Sequence, residues 1–200
     1  MKNYKKNFEI LKKNHVYSEE MEHDACGVGL IASTEGKKSR KIVEYGIEAL
    51  KAVWHRGAVD ADGKTGDGAG IHVEVPKDFF IEKVEVTGHT YDNSEICVGM
   101  IFLPRNDYTA QESCKTIVES ELTKNDFSIY GWRQVPVNPK VLGEKAFQTM
   151  PEIIQVLFKS NNPELLNKDL ERKIYETRRI IENKAFQISL NNFYICSLSS

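Results

Sequence analysis

Apolar positions along the chain follow two different periods, and the switches between them lay out a mixture of helices and strands. Between residues 40 and 54 the side chains of Val43, Ile47, Leu50 and Trp54 recur at helical spacing, which predicts an amphipathic helix with one buried face. His55, Arg56 and Gly57 follow it; basic side chains suit the last turn of a helix, and the glycine is free to take a left-handed cap. Thr109 with Glu112 reads as a capping box for a helix to about residue 122, along which Ala110, Cys114, Ile117 and Glu121 are spaced, so Cys114 is expected to face the core. Asn162-Pro163-Glu164 reads as a further helix start with proline at the first helical position, running to about residue 184 with Leu170, Ile174, Thr177 and Ile181 on one face.

Strand patterns fill the intervals. Residues 27–33 (GVGLIAS) and 71–75 (IHVEV) read as strands, with a turn over residues 35–38. Residues 96–103 are almost continuously apolar, interrupted only by Gly99, and predict a strand buried on both faces. Residues 126–137 alternate and end at Pro136 and Pro139, while residues 153–158 and 193–198 are short apolar strands. The chain stops within the last of these, which leads to the expectation that its domain continues beyond residue 200.

The composition is that of a globular chain: 200 residues, 40% hydrophobic and 28% charged, enough for one core or the first part of a larger one. A net charge of -2 leaves no electrostatic surplus for nucleic acid or an anionic membrane. The longest apolar run is too short to span a bilayer. Cysteines at 26, 97, 114 and 196 form no C-x-x-C pair, so neither a zinc site nor a disulfide framework is signalled. His15, His23, His72 and His89 show no metal-site spacing. Residues 1–15 carry five lysines and one glutamate, and residues 16–25 carry four acids with no lysine or arginine. This lacks the apolar region of an export signal and is too acidic for a transit peptide, so a cytoplasmic protein is expected. The segment reads either as a plain tail or as a removable leader ending at Ala25.

The candidate chemistry begins at Cys26, set between Ala25 and Gly27 at the head of a predicted strand. Most free cysteines are small buried hydrophobes. Cleavage of the Ala25–Cys26 bond, however, would put a thiol and an α-amine of pKa about 7.7–8.0 on one residue, a nucleophile with its own base. Residues 62–70 hold four glycines in nine positions. A Walker A loop is excluded by five residues between Gly57 and Gly63 and by the helix-to-strand order. An EF-hand starting at Asp60 is excluded by Thr65 at its sixth position and Ile71 at its twelfth. What remains at Gly66, Asp67 and Gly68 is a turn, or a candidate active-site loop that lets a small substrate approach backbone amides. Arg56 is either a helix-terminal charge or a guanidinium fork for the carboxylate of a small acidic ligand.

Taken together, Cys26-Gly27-Val28-Gly29, His55-Arg56-Gly57-Ala58, the run from Thr65 to Ile71 and the block from Met150 to Gln155 closely resemble the amidotransferase domain of the glutamate synthase family. That domain is a class II glutamine amidotransferase of the N-terminal-nucleophile hydrolase superfamily. The resemblance implies an α+β fold, a four-layer αββα sandwich of antiparallel sheets between helices. It implies that residues 1–25 are a propeptide and residues 26–200 the N-terminal part of the amidotransferase domain. Cys26 would attack the side-chain amide of L-glutamine, and Arg56 would hold the substrate's α-carboxylate. Ammonia would pass to a synthase domain of the same polypeptide carrying the 2-oxoglutarate site. FMN and an iron–sulfur cluster are implied for the full-length protein and no cofactor for this segment, with a small reductase subunit as a further partner. The family's Asn-Gly oxyanion pair and its amino-group-binding aspartate fall beyond this sequence, and no Asn-Gly dipeptide occurs in it. The expectation is therefore that these residues alone fold poorly and turn over little glutamine. Two other readings stay open: an N-terminal-cysteine amidase acting on a different amide, which would not need Arg56, and a non-catalytic remnant.

Overall fold

The computed structural model describes residues 6, 7, 9, 10, 13, 27–54 and 57–200. The chain divides into two compact units, one formed by residues 1–58 with 69–71, the other by residues 59–68 with 72–200.

In the first unit, helix α1 spans Arg40–Ala52, and its apolar stripe is the one read from the periodicity. Ser39 caps it: the residue is extended, and its hydroxyl accepts the Lys41 N–H at 3.1 Å, satisfying an amide that has no partner inside the helix. Ile42, Val43, Ile47 and Leu50 are only half-buried, and Trp54 is 75% exposed. The expected face exists but is not buried. The helix ends at Ala52 with Val53 as its C-cap, before the glycine expected to cap it. A turn forms two residues before the expected one, at Ser33–Gly36, with the Gly36 N–H donating to the Ser33 carbonyl at 3.2 Å and Gly36 at positive φ. Residues 27–33 are not a strand: they have no ladder partner among the described residues, and Val28 is 92% exposed. Residues 71–75 likewise pair with nothing described. A strand is stabilised by the neighbour it bonds to, and an apolar alternation cannot supply that neighbour.

The second unit is built on one four-stranded antiparallel sheet of order β2-β3-β1-β4. Its strands are β1 (Cys97–Leu103), β2 (Phe127–Gln134), β3 (Glu152–Ser160) and β4 (Tyr194–Ser199), each close to a predicted strand. Successive side chains of a strand face opposite sides, and both sides of this sheet are used. Cys97, Ile101, Ile154, Val156, Phe158 and Ile195 point into a core shared with two long helices, α3 (Tyr108–Lys124) and α5 (Asn167–Gln187). On the opposite side, Val98, Tyr130 and Leu157 pack with Ile96 and with Phe80 and Val84 of α2 (Lys77–Val86). Met100 and Phe102 on that side are half-buried, so burial of β1 is complete on one face only. The class is α+β, with helices packed on an antiparallel sheet; the described residues contain one sheet.

Gly99 is required by packing. A Cβ there would lie 2.5 Å from Leu198 Cδ1 and 2.7 Å from Val156 Cγ1, in the centre of a strand bonded on both sides. The helix starts differ from expectation because side chains nearby compete for the cap. Asp107, two residues before Thr109, caps α3 by accepting the Ala110 N–H at 2.9 Å. Asn162 forms a local turn instead of a helix start, its side chain accepting the Glu164 N–H at 3.0 Å, and α5 begins only at Asn167. On α5 the face was read correctly, with Leu170, Ile174, Thr177 and Ile181 fully buried. On α3 Cys114 is fully buried as expected and Glu121 nearly so, but Ala110 and Ile117 are half-buried and Val118 and Leu122 take their place in the core. Two helices had no reading from the sequence, α2 and the short α4 (Glu144–Thr149). Glu121, almost fully buried on α3, is paired with Lys184 of α5 at 2.6 Å and Lys124 at 3.1 Å, which ties the two helices together. No helix of the described residues is long and apolar enough to cross a membrane.

Candidate active site

Ala25, Cys26 and Arg56 lie outside the described residues. The candidate loop, Gly66, Asp67 and Gly68, is described and exposed, and the local chemistry that shapes it is visible atom by atom. Asp60 and Thr65 close a turn: the Asp60 N–H donates to the Thr65 carbonyl at 2.7 Å, and the Gly63 N–H donates to the Asp60 carbonyl at 2.9 Å. Gly66 then forms an antiparallel bridge with Val59. The segment from residue 59 to residue 66 is thus a tight turn.

The residue that organises the turn is Asp62, which sequence reasoning did not single out. Its Oδ1 accepts the amides of Lys64 at 2.9 Å and Thr65 at 2.7 Å, and its Oδ2 accepts the Thr65 hydroxyl at 2.6 Å. Oδ2 also accepts the N–H of Glu144, the first residue of α4, at 3.1 Å. Donors on both oxygens, the Thr65 hydroxyl foremost, stabilise the charged form and lower the Asp62 pKa to about 2. A second tie runs from Lys145 Nζ to Asp60 Oδ2 at 2.5 Å. Gly143 makes this docking possible: a side chain there would overlap the Thr65 hydroxyl and the Asp62 carboxylate. An Asp three residues before a Thr at a glycine-rich turn is a legible signal for such a clasp; its partner, 82 residues further on, is not.

Three other cysteines can be compared with Cys26. Cys97 and Cys114 are buried, and burial raises both thiols, that of Cys114 to about 11. Such thiols are poor nucleophiles because the thiolate is scarce. Cys196 is exposed. A separate polar cluster joins Asp92 to Lys159 and to the Tyr130 hydroxyl, the latter at 2.9 Å. Lys159 beside it holds the Asp92 carboxyl well below the usual range, while burial pushes the Tyr130 phenol up. These groups satisfy one another and pin the turn over residues 91–94 to the sheet. A surface hollow of about 640 Å³ along α3, lined by Tyr108, Glu112, Thr116 and Ile188 among others, contains none of the predicted site residues. Among the described residues no group of three or more His, Cys, Asp or Glu side chains could hold a metal ion.

Comparison with known proteins adds a match along most of the chain. Residues 26–200 match the family described as glutamine amidotransferases class-II. The glutamate synthase [NADPH] large chain of Azospirillum brasilense is 52% identical over 197 residues, covering 98% of this chain and 13% of that protein. The ferredoxin-dependent glutamate synthase of Pyropia yezoensis is 39% identical over 198 residues, covering 95% of this chain and 12% of its own length. The chloroplastic ferredoxin-dependent glutamate synthase 2 of Arabidopsis thaliana is 37% identical over 197 residues, again with 12% of its length covered. The chain thus spans about an eighth of the length of these relatives.

Proposed function

This chain belongs to the class-II glutamine amidotransferase family, and on that premise we propose that it is the glutaminase portion of a glutamate synthase, with Cys26 as its nucleophile. The observation that carries the reading is that the family match begins at Cys26, the residue at which the sequence changes from a charge-segregated segment to the uncharged stretch of residues 27–33. Residues 1–25 are then a propeptide, removed at the Ala25–Cys26 bond to free the α-amine.

In the mature enzyme the amine takes the proton of the Cys26 thiol, and the thiolate attacks the side-chain carbonyl carbon of L-glutamine. A carbon–sulfur bond forms, the carbon–nitrogen bond breaks, and the ammonium group of Cys26 returns the proton to the departing ammonia. Water then attacks the γ-glutamyl thioester, giving up a proton to the same amine; the carbon–sulfur bond breaks, the amine passes that proton to the departing sulfur, and glutamate leaves with the Cys26 thiol restored. Arg56 grips the substrate α-carboxylate through paired N–H donors. Gly66, Asp67 and Gly68 form the loop that meets the substrate, and the turn just before them is kept in shape by the Asp62 bonds to Lys64 and Thr65. The buried, raised thiols of Cys97 and Cys114 support the assignment of the chemistry to Cys26.

The ammonia serves reductive amination of 2-oxoglutarate in a synthase domain of the same polypeptide, in the cytoplasm, with a small reductase subunit as a further partner. FMN and an iron–sulfur cluster belong to that part. No step above passes through either group. The test is intact-mass measurement of the expressed full-length polypeptide, followed by mapping of the adduct of a glutamine-like electrophile. Loss of residues 1–25 and labelling of Cys26 are expected. Retention of the leader, or an adduct at any other residue, would overturn the proposal.

A further inference from the structure

We infer that Asp62 is a positioning residue for glutamine: by accepting hydrogen bonds from its own loop and from the first turn of α4 together, it holds the Gly66-Asp67-Gly68 backbone in the geometry that substrate binding needs. This rests on the function proposed above, in which that loop meets the substrate. The two oxygens do different work. Oδ1 accepts the Lys64 and Thr65 amides and shapes the turn, whereas Oδ2 accepts the Thr65 hydroxyl and reaches the Glu144 N–H, which anchors the turn to α4.

The chain needs such an anchor here. Two of the three residues at positions 66–68 are glycines, with no side chain to pack and a wide choice of backbone conformations. Gly66 bridges Val59, and Thr65, the residue adjoining Gly66, is held by Asp62 through both its amide and its hydroxyl. Gly143 belongs to the same device, because any side chain at that position would occupy the space of the Asp62 carboxylate and the Thr65 hydroxyl. Lys145, paired with Asp60 at 2.5 Å, adds a second tie between the same two segments.

The experiment uses the full-length synthase that contains this chain, with variants D62A, D62N and G143A and with C26A as reference. Four quantities are measured: kcat and KM with glutamine, the rate with ammonia supplied directly, and the rate at which iodoacetamide alkylates Cys26. Displacing a substrate-binding loop by about an ångström is expected to raise KM for glutamine about 10-fold to 100-fold in D62A and G143A. The ammonia-driven rate and the alkylation rate should stay within about twofold of wild type, because neither needs the loop to bind glutamine. D62N keeps an oxygen for the turn but sets an amide N–H against the Glu144 N–H, so its KM should fall between those of wild type and D62A. If D62A cannot be recovered, D62N and G143A make the same comparison. Unchanged KM in D62N and G143A, with glutamine turnover abolished in C26A, would overturn the positioning role alone. A parallel fall in the ammonia-driven rate would overturn it too, by showing a general structural role. Glutamine turnover surviving in C26A would instead overturn the proposed function, and the inference with it.

Discussion

Replacing Gly99 by alanine tests how the sheet is packed, and the structure decides the sign of the effect. In an open strand, Gly→Ala should stabilise by about 0.5–1 kcal/mol, because alanine has less backbone freedom to lose. At position 99 the added Cβ would sit 2.5 Å from Leu198 Cδ1 and 2.7 Å from Val156 Cγ1, about 1 Å inside ordinary carbon–carbon contact. Leu198 lies on an edge strand and can swing its terminal methyl aside. Val156 is fully buried on β3, and its branched side chain has one preferred rotamer and no room to turn. The backbone cannot retreat either, since Gly99 is paired with Val156 on one side and Leu198 on the other. Overpacking of this kind costs about 1–3 kcal/mol, which outweighs the entropic gain and leaves a net loss of about 1–2 kcal/mol. For a domain of this size that lowers the midpoint of thermal unfolding by about 2–8 °C. The assay is heat inactivation of glutamine-driven turnover in the full-length enzyme, with ammonia-driven turnover as the internal control. V156A removes the offending methyl, so G99A in that background should cost less than about 0.5 kcal/mol. A G99A enzyme as heat-resistant as wild type, or an undiminished penalty in the V156A background, would refute the reasoning.

Three further outcomes are expected. Arg56→Ala should raise KM for glutamine by about 10-fold to 100-fold, the loss of charge-assisted bonds worth about 1.5–3 kcal/mol, and Arg56→Lys should restore little of it because a single ammonium cannot match the fork; unchanged kinetics would favour an amidase for another amide. Iodoacetamide applied to the folded enzyme should modify Cys26 and the exposed Cys196 and spare Cys97 and Cys114, whose thiols burial raises; peptide mapping that finds Cys97 or Cys114 alkylated at neutral pH would contradict their assigned burial. The paired lysines hold the Glu121 carboxyl below its ordinary pKa, so its contribution is present above the unfolded value of about 4.3 and disappears as pH falls through the folded value. Glu121→Gln should therefore cost about 1–2 kcal/mol at pH 7 and flatten the acid limb of the stability curve, and a curve that falls below pH 4 as steeply as wild type would count against the pairing.

The sequence by itself determined what local periodicity and side-chain chemistry can carry. The stripe Leu170, Ile174, Thr177, Ile181 reads as one buried helix face because helical spacing is a property of the chain alone, and those four residues are fully buried. The same holds for Cys114 and for the strands around Gly99, Ile154 and Ile195. Cys26 and Arg56 are named as candidates from their chemistry and from motif order alone, and both lie outside the described residues. Helix starts were harder to read, because Asp107 and Asn162 offered local bonds that outcompeted Thr109 and Pro163 as boundaries.

Only the tertiary structure decided which predicted strands acquire partners, and so why residues 27–33 and 71–75 remain unpaired among the described residues while four others form a sheet. It alone showed that Gly99 is needed for space, that Glu121 bridges two helices, and that the Asp62 turn is anchored to an amide 82 residues away. The physical reason is the same in each case. A ladder bond, a close contact or an ion pair depends on two segments meeting, and the alternation or spacing within either segment carries no record of the other.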